Sequence, residues 1–381
     1  MRSVLITKFV PWPPNSGEKR RTLAIARALL SQGEVTIFGF TGPNEDASPL
    51  IAEGFDVQSV ELDRSATKTA AGIVKGKSLT AARFWDPALA AKIDTITEPI
   101  DVLVIEHVQL QMYGRRIRAI TSVVDMHNIE SLLSKRISET KGGVWKAVYA
   151  AEARALQGLE KQTAHSDAVL VVSEADKKAL TEVADLPNVL VVPNAWDSTG
   201  ALPHTSNPVV SFVALLSWGP NVDAAVWFCS QVWPLVVADM PSAMLQLVGR
   251  DPAPEVREFA SPNVVVTGTV AELDPWYEET LVNVAPLLAG GGSRLKIMEA
   301  LAAGRPLVAT TIGAEGLEDL IGRGVIVADK PRAMADDILS LLRDPDESHR
   351  LGTLGAAAVA SDHSWEAAVV PLLSELSAAR A

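Results

Sequence analysis

The chain has 381 residues, 48% of them hydrophobic and 21% charged, values of a folded globular protein and far from those of a disordered one. Its 34 Lys and Arg stand against 46 Asp and Glu, a formal charge of −12 that argues against a dedicated nucleic-acid binder, which needs surplus cations to displace counterions. The single cysteine, Cys229, excludes an intrachain disulfide and any cysteine-based zinc cluster.

Short Val- and Ile-rich runs alternate with helical patterns, which predicts α/β architecture with parallel sheets, and the length predicts two domains. Strands are expected over residues 3–8, 35–40, 55–62, 101–106, 122–127, 168–173 and 189–193. Runs such as VLVIE and VLVVS lack polar alternation, as strands covered on both faces do. Helices are expected over 18–32, where Leu23, Ile25, Ala26, Leu29 and Leu30 fall at helical spacing ahead of Gly33, and over 144–165. Residues 193–208, PNAWDSTGALPHTSNP, read as a linker because of Pro193, Gly200, Pro203 and Pro208.

A second set of strand-like runs begins near Val209, with helices expected over 222–238, 272–280, 294–303, 331–342 and 347–360. The last stretch, 364–379, is helical in pattern, and Pro371 should kink or split it. It can cap the second domain or cross back to the first. No run suits a membrane span or a secretion signal. Five residues separate Arg2 from Lys8, and the apolar run over 224–238 is interrupted by Ser230, Gln231 and Pro234. A cytoplasmic protein is expected.

The charge is unevenly distributed. Residues 1–190 hold 23 basic and 23 acidic side chains, leaving 11 basic and 23 acidic for the remainder. No Lys or Arg occurs between Lys178 and Arg250. An anion bound by the second half must therefore be held by few cations or by backbone dipoles.

Residues 286–310, PLLAGGGSRLKIMEALAAGRPLVAT, offer such a place. A strand should end at Leu287 or Leu288, glycines follow, and a helix should open at Ser293 or Arg294. Gly290, Gly291 and Gly292 would let backbone N–H groups approach a phosphate at a helix N-terminus, past the carboxyl end of a strand. Ser293 can cap the helix or donate to phosphate, and Arg294 and Lys296 add cations. Glu299 can accept both hydroxyls of a ribose. The plainer alternative is a glycine turn followed by a surface Lys296–Glu299 pair.

This stretch resembles the donor-binding segment of retaining GT-B glycosyltransferases, specifically glycosyltransferase family 4. Glu299, Ala300, Ala302, Gly304 and Pro306 match the family's Glu-Ala-x-Ala-x-Gly-x-Pro pattern. The family's first glutamate falls at position 291, which is Gly291 here, and residues 291–296 instead match a Gly-Gly-Ser/Thr-Arg-Leu-Lys subset. The first strand–helix turn of the second domain, residues 215–228, lacks the family's basic pair. Arg294 and Lys296 are the substitutes.

The resemblance implies two doubly wound Rossmann-like domains facing a cleft, with an N-terminal acceptor-side domain over 1–195 and a donor domain over 196–360. It also implies a C-terminal helix over 361–381 returning to the first domain. The activity implied is transfer of a sugar from a nucleoside diphosphate sugar to an acceptor hydroxyl with retention, as in glycan, polysaccharide or glycoconjugate biosynthesis. No metal and no cofactor are implied, because Arg294, Lys296 and backbone amides carry the diphosphate. The donor-binding set is Gly17, Gly290, Gly291, Gly292, Ser293, Arg294, Leu295, Lys296 and Glu299. Gly17 lies in PPNSGEKRR after the first strand, where residues 15–18 also fit an N-capping arrangement.

His107 and His127 end predicted strands, each an ordinary place for a turn histidine. The resemblance gives His107 a contact with the transferred sugar and a catalytic role beside Arg294 and Lys296. His127 belongs to DMHNIES, in which Asn128 and Glu130 set a loop or touch acceptor. The acceptor is expected to be a glycan, a lipid-linked molecule or a small molecule. Lys68, Lys75, Lys77, Arg83 and Trp85, then Lys135, Arg136, Lys141, Trp145 and Lys146, read either as a solvated surface between elements or as peripheral contact with the inner membrane face. A nucleotide-sugar epimerase of the same fold, or a non-catalytic nucleotide-sugar binder, is the alternative. An NAD-dependent oxidoreductase is disfavoured because no G-x-G-x-x-G follows the first strand.

Overall fold

The computed structural model describes the chain apart from Pro43, Asn44, Pro187, Ser198, Thr199, Arg380, Ala381 and residues 63–77 and 290–294. It divides into two compact units, Met1–Pro193 with Ala368–Ala381, and Asn194–Ala367.

The first unit is built on β1 (Arg2–Phe9), β2 (Glu34–Thr41), β3 (Asp56–Glu61), β4 (Ile100–Glu106), β5 (Ala119–Asp125), β6 (Ala168–Val171) and β7 (Val189–Val191). All pair in parallel, in the order β3-β2-β1-β4-β5-β6-β7. Winding reverses between β1 and β4, so loops leaving their carboxyl ends diverge there and open a crevice. On one face Leu5, Val102, Val104 and Val123 pack with Leu23, Ile25 and Leu29 of the Gly17–Leu30 helix and with Leu372 and Leu376 of the final helix. On the other, Ile6, Leu103, Ile105 and Val124 pack with Tyr113. This double covering is why the strands do not alternate. Burial of Leu372 and Leu376 holds the chain's end on this unit, each contributing roughly 1.5–3 kcal/mol.

The second unit carries β8 (Val209–Val213), β9 (Met244–Val248), β10 (Val264–Val266), β11 (Val282–Ala285), β12 (Leu307–Ala309) and β13 (Val325–Val327), parallel and ordered β10-β9-β8-β11-β12-β13. Its winding reverses between β8 and β11. Two glycines let loops close on those strand ends. A Cβ on Gly249 would lie 1.7 Å from the Ala214 carbonyl oxygen, and one on Gly313 would lie 2.2 Å from that of Ala285.

Several elements differ from the sequence expectation. The helix expected over 222–238 is Gly219–Trp227 and Trp233–Asp239 joined by a π turn over Phe228–Val232, just ahead of Pro234, which has no N–H to donate. Residues 130–140 form the helix Glu130–Thr140, so Lys135 and Arg136, read from the sequence as lying between elements, lie on one. As expected from Pro371, the chain's end is split into two helices, Trp365–Ala368 and Val370–Ala378, with Pro371 in the first turn of the second, where a missing N–H breaks no bond. Residues up to Ala367 belong to the second unit, and those from Ala368 onward to the first. No described helix is long and apolar enough to cross a membrane.

Candidate functional site

In the first unit, polar groups gather at the switch point. Parallel register sets Glu106, the last residue of β4, beside Asp125, the last residue of β5. Both side chains continue the face that the Gly17–Leu30 helix covers, and both are fully buried. The first turns of that helix provide their partners. Arg21 donates from Nε to Asp125 Oδ2 at 2.8 Å, from Nη2 to Oδ1 at 2.6 Å, and from Nη1 to the Val192 carbonyl at 2.7 Å. Thr22 donates to Glu106 Oε2 in a very short bond, and Thr7 Oγ1 lies 3.3 Å from the same oxygen. The helix is capped by Ser16, whose hydroxyl accepts from Lys19 N, so Glu18 is not used in the capping arrangement expected over 15–18.

Glu18 instead turns to His107, with Oε1 2.9 Å from Nε2. His107 is 4% exposed, and its backbone sits at φ 67°, ψ 134°, strained for a residue with a side chain. Its Nδ1 lies 3.8 Å from Glu130 Oε1, and the same oxygen lies 4.0 Å from Lys8 Nζ. The His127 ring lies tilted against that of His107, with centroids 4.0 Å apart and an interplanar angle of 36°, and its Nε2 stands 3.1 Å from Asp125 Oδ2 and 3.7 Å from Glu106 Oε2. Glu160 of the Gly143–Glu160 helix fixes the neighbouring element: it accepts from Ser131 N at 2.8 Å, anchoring the first turn of the helix that carries Glu130.

Electrostatics assigns the protons. Burial, reinforced by the charge of Asp125, pushes the Glu106 carboxyl up to about 8, so it is protonated at neutral pH. Burial opposes ionisation of Asp125, but the Arg21 guanidinium outweighs it and holds Asp125 well below the usual range. Burial and the charge of His107 push His127 down to about 4. Burial and Lys8 disfavour a charged His107, yet Glu18 and Glu130 prevail and raise its pKa. Burial likewise opposes Glu18 and Glu130, but His107 and Lys8 hold Glu18 low and Lys8 and His107 bring Glu130 down to about 2. Lys8, Arg21 and His107 thus face Glu18, Asp125 and Glu130. Glu106, Asp125 and His127 offer ligand atoms within 4.8 Å of one another, a set chemically suited to a divalent cation. Both Asp125 oxygens, however, are already held by Arg21.

The raised carboxyl has a consequence for stability. Glu106 titrates near 4.5 when unfolded and about 8 when folded, so its contribution is complete below pH 4.5 and is lost as pH rises to about 8. Glu106→Gln, which mimics the protonated acid, removes that loss. The difference in Tm between variant and wild type is expected to move steadily in the variant's favour from pH 5 to pH 8. A difference independent of pH would show that Glu106 is ionised throughout.

In the second unit, the glycine-rich stretch comes after β11 in the sequence, and β11 is one of the two strands at the switch point. Gly290, Gly291, Gly292, Ser293 and Arg294 lie outside the described residues. The chain leading to them is fixed by Thr310 Oγ1, which donates to the Leu287 carbonyl at 2.6 Å. The helix beyond is described from Leu295 to Ala302, with Ile297, Met298 and Leu301 buried, Lys296 exposed and Glu299 half-buried. Burial raises the Tyr277 hydroxyl well above its usual range, and the negative charges of Glu299 and Asp274 add to it. Four other cations of this unit are engaged in structure. Arg305 donates to the Tyr277 and Pro203 carbonyls, while Arg323, Arg332 and Arg350 pair with Asp362, Asp239 and Glu347. Arg257 is nearer the carboxyl edge. With Asp251, Thr267 and Thr269 it lines a cavity of about 370 Å³ by the ends of β9 and β10, which the sequence did not indicate.

Of the residues singled out in the sequence, His107 and His127 come together in the first unit, and Gly17 opens the helix that carries Glu18, Arg21 and Thr22. Leu295, Lys296 and Glu299 share one helix of the second unit. Asn128 lies in the turn between β5 and the Glu130–Thr140 helix. Sequence reasoning missed Glu18, Arg21, Glu106 and Asp125 as a set. The signal was two acids at the ends of adjacent apolar runs, which parallel pairing places side by side and which then require a cation.

Residues 207–344 match the family model described as Glycosyl transferases group 1. Over 355 residues the chain is 21% identical to an uncharacterized 44.6 kDa protein in the cps region of Klebsiella pneumoniae, covering 88% of this chain and 90% of that protein. It superposes on sucrose-phosphate synthase from Thermosynechococcus elongatus with a TM-score of 0.73 at 17% identity, covering 100% of both chains. Against Anabaena Alr3699/HepE in complex with UDP and glucose the TM-score is 0.67 at 15% identity, covering 99% of this chain and 100% of that one. The chain spans about half the length of TarM, which it matches with a TM-score of 0.60 at 16% identity and with coverage of 72% of this chain and 54% of that one. The fold is thus that of GT-B glycosyltransferases, two Rossmann-like domains, and the second unit carries the group 1 glycosyl transferase match.

Proposed function

We propose that this protein is a retaining glycosyltransferase that moves a sugar from a nucleoside diphosphate sugar to an acceptor hydroxyl, in glycan, polysaccharide or glycoconjugate biosynthesis. The observation that carries the reading is the group 1 glycosyl transferase match over 207–344, which spans the loop after β11 at the switch point of the second sheet. The nucleotide-bearing structural neighbour and the relative in a cps region point the same way. An epimerase or a passive binder has no comparable support.

In this reading the leaving diphosphate gathers charge that Arg294, Lys296 and the amides of residues 290–293 stabilise, while Glu299 holds the ribose. The transition state is oxocarbenium-like. The leaving phosphate takes the acceptor's proton on the same face, so the scheme needs neither a dedicated carboxylate base nor a metal. Release of free nucleoside diphosphate only when donor and acceptor are both present tests the proposal. Sugar inversion without release would support an epimerase, and binding without turnover a passive binder.

The reading includes peripheral contact of the first unit with an anionic membrane carrying a lipid-linked acceptor. Val144 and Trp145, 72% and 63% exposed, open the Gly143–Glu160 helix beside exposed Lys146, and Lys141 precedes it. Lys68, Lys75 and Lys77 lie outside the described residues. Trp145→Ser is expected to lower binding to phosphatidylglycerol-containing vesicles at least threefold in a sedimentation assay. Equal binding of variant and wild type would remove this face from the proposal.

A further inference from the structure

Three side chains at the carboxyl ends of β4 and β5 converge without completing their bonds. Glu106 ends β4, Asp125 ends β5 and His127 follows two residues later; they are 0%, 0% and 8% exposed. His127 Nε2 stands 3.1 Å from Asp125 Oδ2 and 3.7 Å from Glu106 Oε2, yet it makes no hydrogen bond with any described residue. Glu106 Oε1 is likewise buried without a partner among the described residues. Buried polar atoms are nearly always satisfied, because an unmet one gives up its hydration for nothing. An unmet imidazole nitrogen beside an unmet carboxyl is relieved by a group that accepts electron pairs from both.

A divalent cation is such a group. One imidazole and two carboxylates make a nitrogen–oxygen set that suits zinc, and their donor atoms lie within 4.8 Å of one another. Zinc holds such ligands at about 2.0–2.2 Å, which in a tetrahedron sets donor atoms about 3.3–3.6 Å apart. The separations of 3.1 and 3.7 Å at His127 Nε2 bracket that spacing, so small side-chain shifts bring the set to bonding distance. Arg21 donates to both Asp125 oxygens, but each oxygen keeps a second lone pair, and ligating carboxylates are ordinarily hydrogen-bonded on their outer side. Thr22, which donates to Glu106 Oε2, stands in the same relation to the other acid. Binding displaces the carboxyl proton of Glu106.

We propose that Glu106, Asp125 and His127 form a zinc site wholly within the first unit, tying the ends of β4 and β5 to the turn that carries His127 and Asn128. The proposal goes beyond the transferase reading and does not rest on it, since no step of that scheme runs through the ion. A second histidine pair provides the control. His204 and His349 of the second unit have ring centroids 4.2 Å apart, but no third ligand joins them among the described residues.

The full chain is stripped with EDTA, dialysed and titrated calorimetrically with ZnCl₂, comparing wild type, Glu106→Gln, His127→Ala and His204→Ala. Wild type and His204→Ala should each bind one equivalent tightly, with affinities within twofold, whereas Glu106→Gln and His127→Ala should weaken it at least tenfold. Zinc should raise the Tm of wild type and leave that of Glu106→Gln unchanged. Glu106→Gln mimics the protonated acid and keeps an oxygen for Thr22, so a metal-free Tm near that of wild type shows that its loss is not unfolding. Should His127→Ala fail to fold, Glu106→Gln decides alone. No zinc bound by wild type, a smaller change in Glu106→Gln, or loss of binding in His204→Ala would each overturn the proposal and leave the transferase reading as it stands.

Discussion

Replacing Arg294 and Lys296 together by alanine is expected to weaken binding of the nucleotide-sugar donor by roughly 10²–10⁴-fold, because each charge-assisted contact with phosphate is worth about 1.5–3 kcal/mol. The acidic second half of the chain makes the effect large. It holds 11 cations against 23 acids, and several of those cations are committed to carbonyls or surface carboxylates. Lys296 is exposed on a helix whose apolar side chains are buried independently of it, so the double variant should melt within a few degrees of wild type. Calorimetric titration of donor reports the loss. An affinity within threefold of wild type would mean that other groups, such as Arg257 by the cavity next to β9 and β10, carry the diphosphate.

Arg21→Ala should produce the largest loss of stability. The guanidinium is buried among two Asp125 oxygens and the Val192 carbonyl, and its removal leaves a sealed carboxylate without a counter-charge. Breaking such a pair costs about 3–5 kcal/mol. For a unit of this size, that lowers Tm by roughly 6–20 °C in a calorimetric scan. Replacing both partners, as Arg21→Met with Asp125→Leu, should recover a substantial part of the loss, because neither charge then remains buried alone. A single variant that melts like wild type would show that Asp125 is neutral in the folded protein.

The α/β class and both parallel sheets were legible because Val- and Ile-rich runs without alternation have few other uses. The helix Glu130–Thr140 was not legible, since its buried face is Ser131, Ser134 and Ser138 and shows no apolar stripe. The glycine-rich stretch could be recognised from Gly, Ser, Arg and Lys at fixed spacing, and residues 290–294 lie outside the described residues. His107 and His127 were noticed at strand ends. Their surroundings were hidden because Arg21, Glu106 and Asp125 come from three separate elements, as single charges that look superficial in one dimension. Only the register of β4 against β5 reveals that the two acids share a face and must find a buried cation.

The central claim is that the second unit binds a nucleoside diphosphate sugar at the loop after β11, and a thermal-shift panel tests it most directly. Wild type is melted with UDP-, GDP-, ADP- and dTDP-sugars up to millimolar concentration. At about 100 times Kd, a bound donor stabilises by about 2.7 kcal/mol through mass action. One base should therefore raise Tm by roughly 5–11 °C, and the Arg294→Ala, Lys296→Ala double variant should lose that shift. No shift with any donor, or an equal shift in the double variant, would contradict the account.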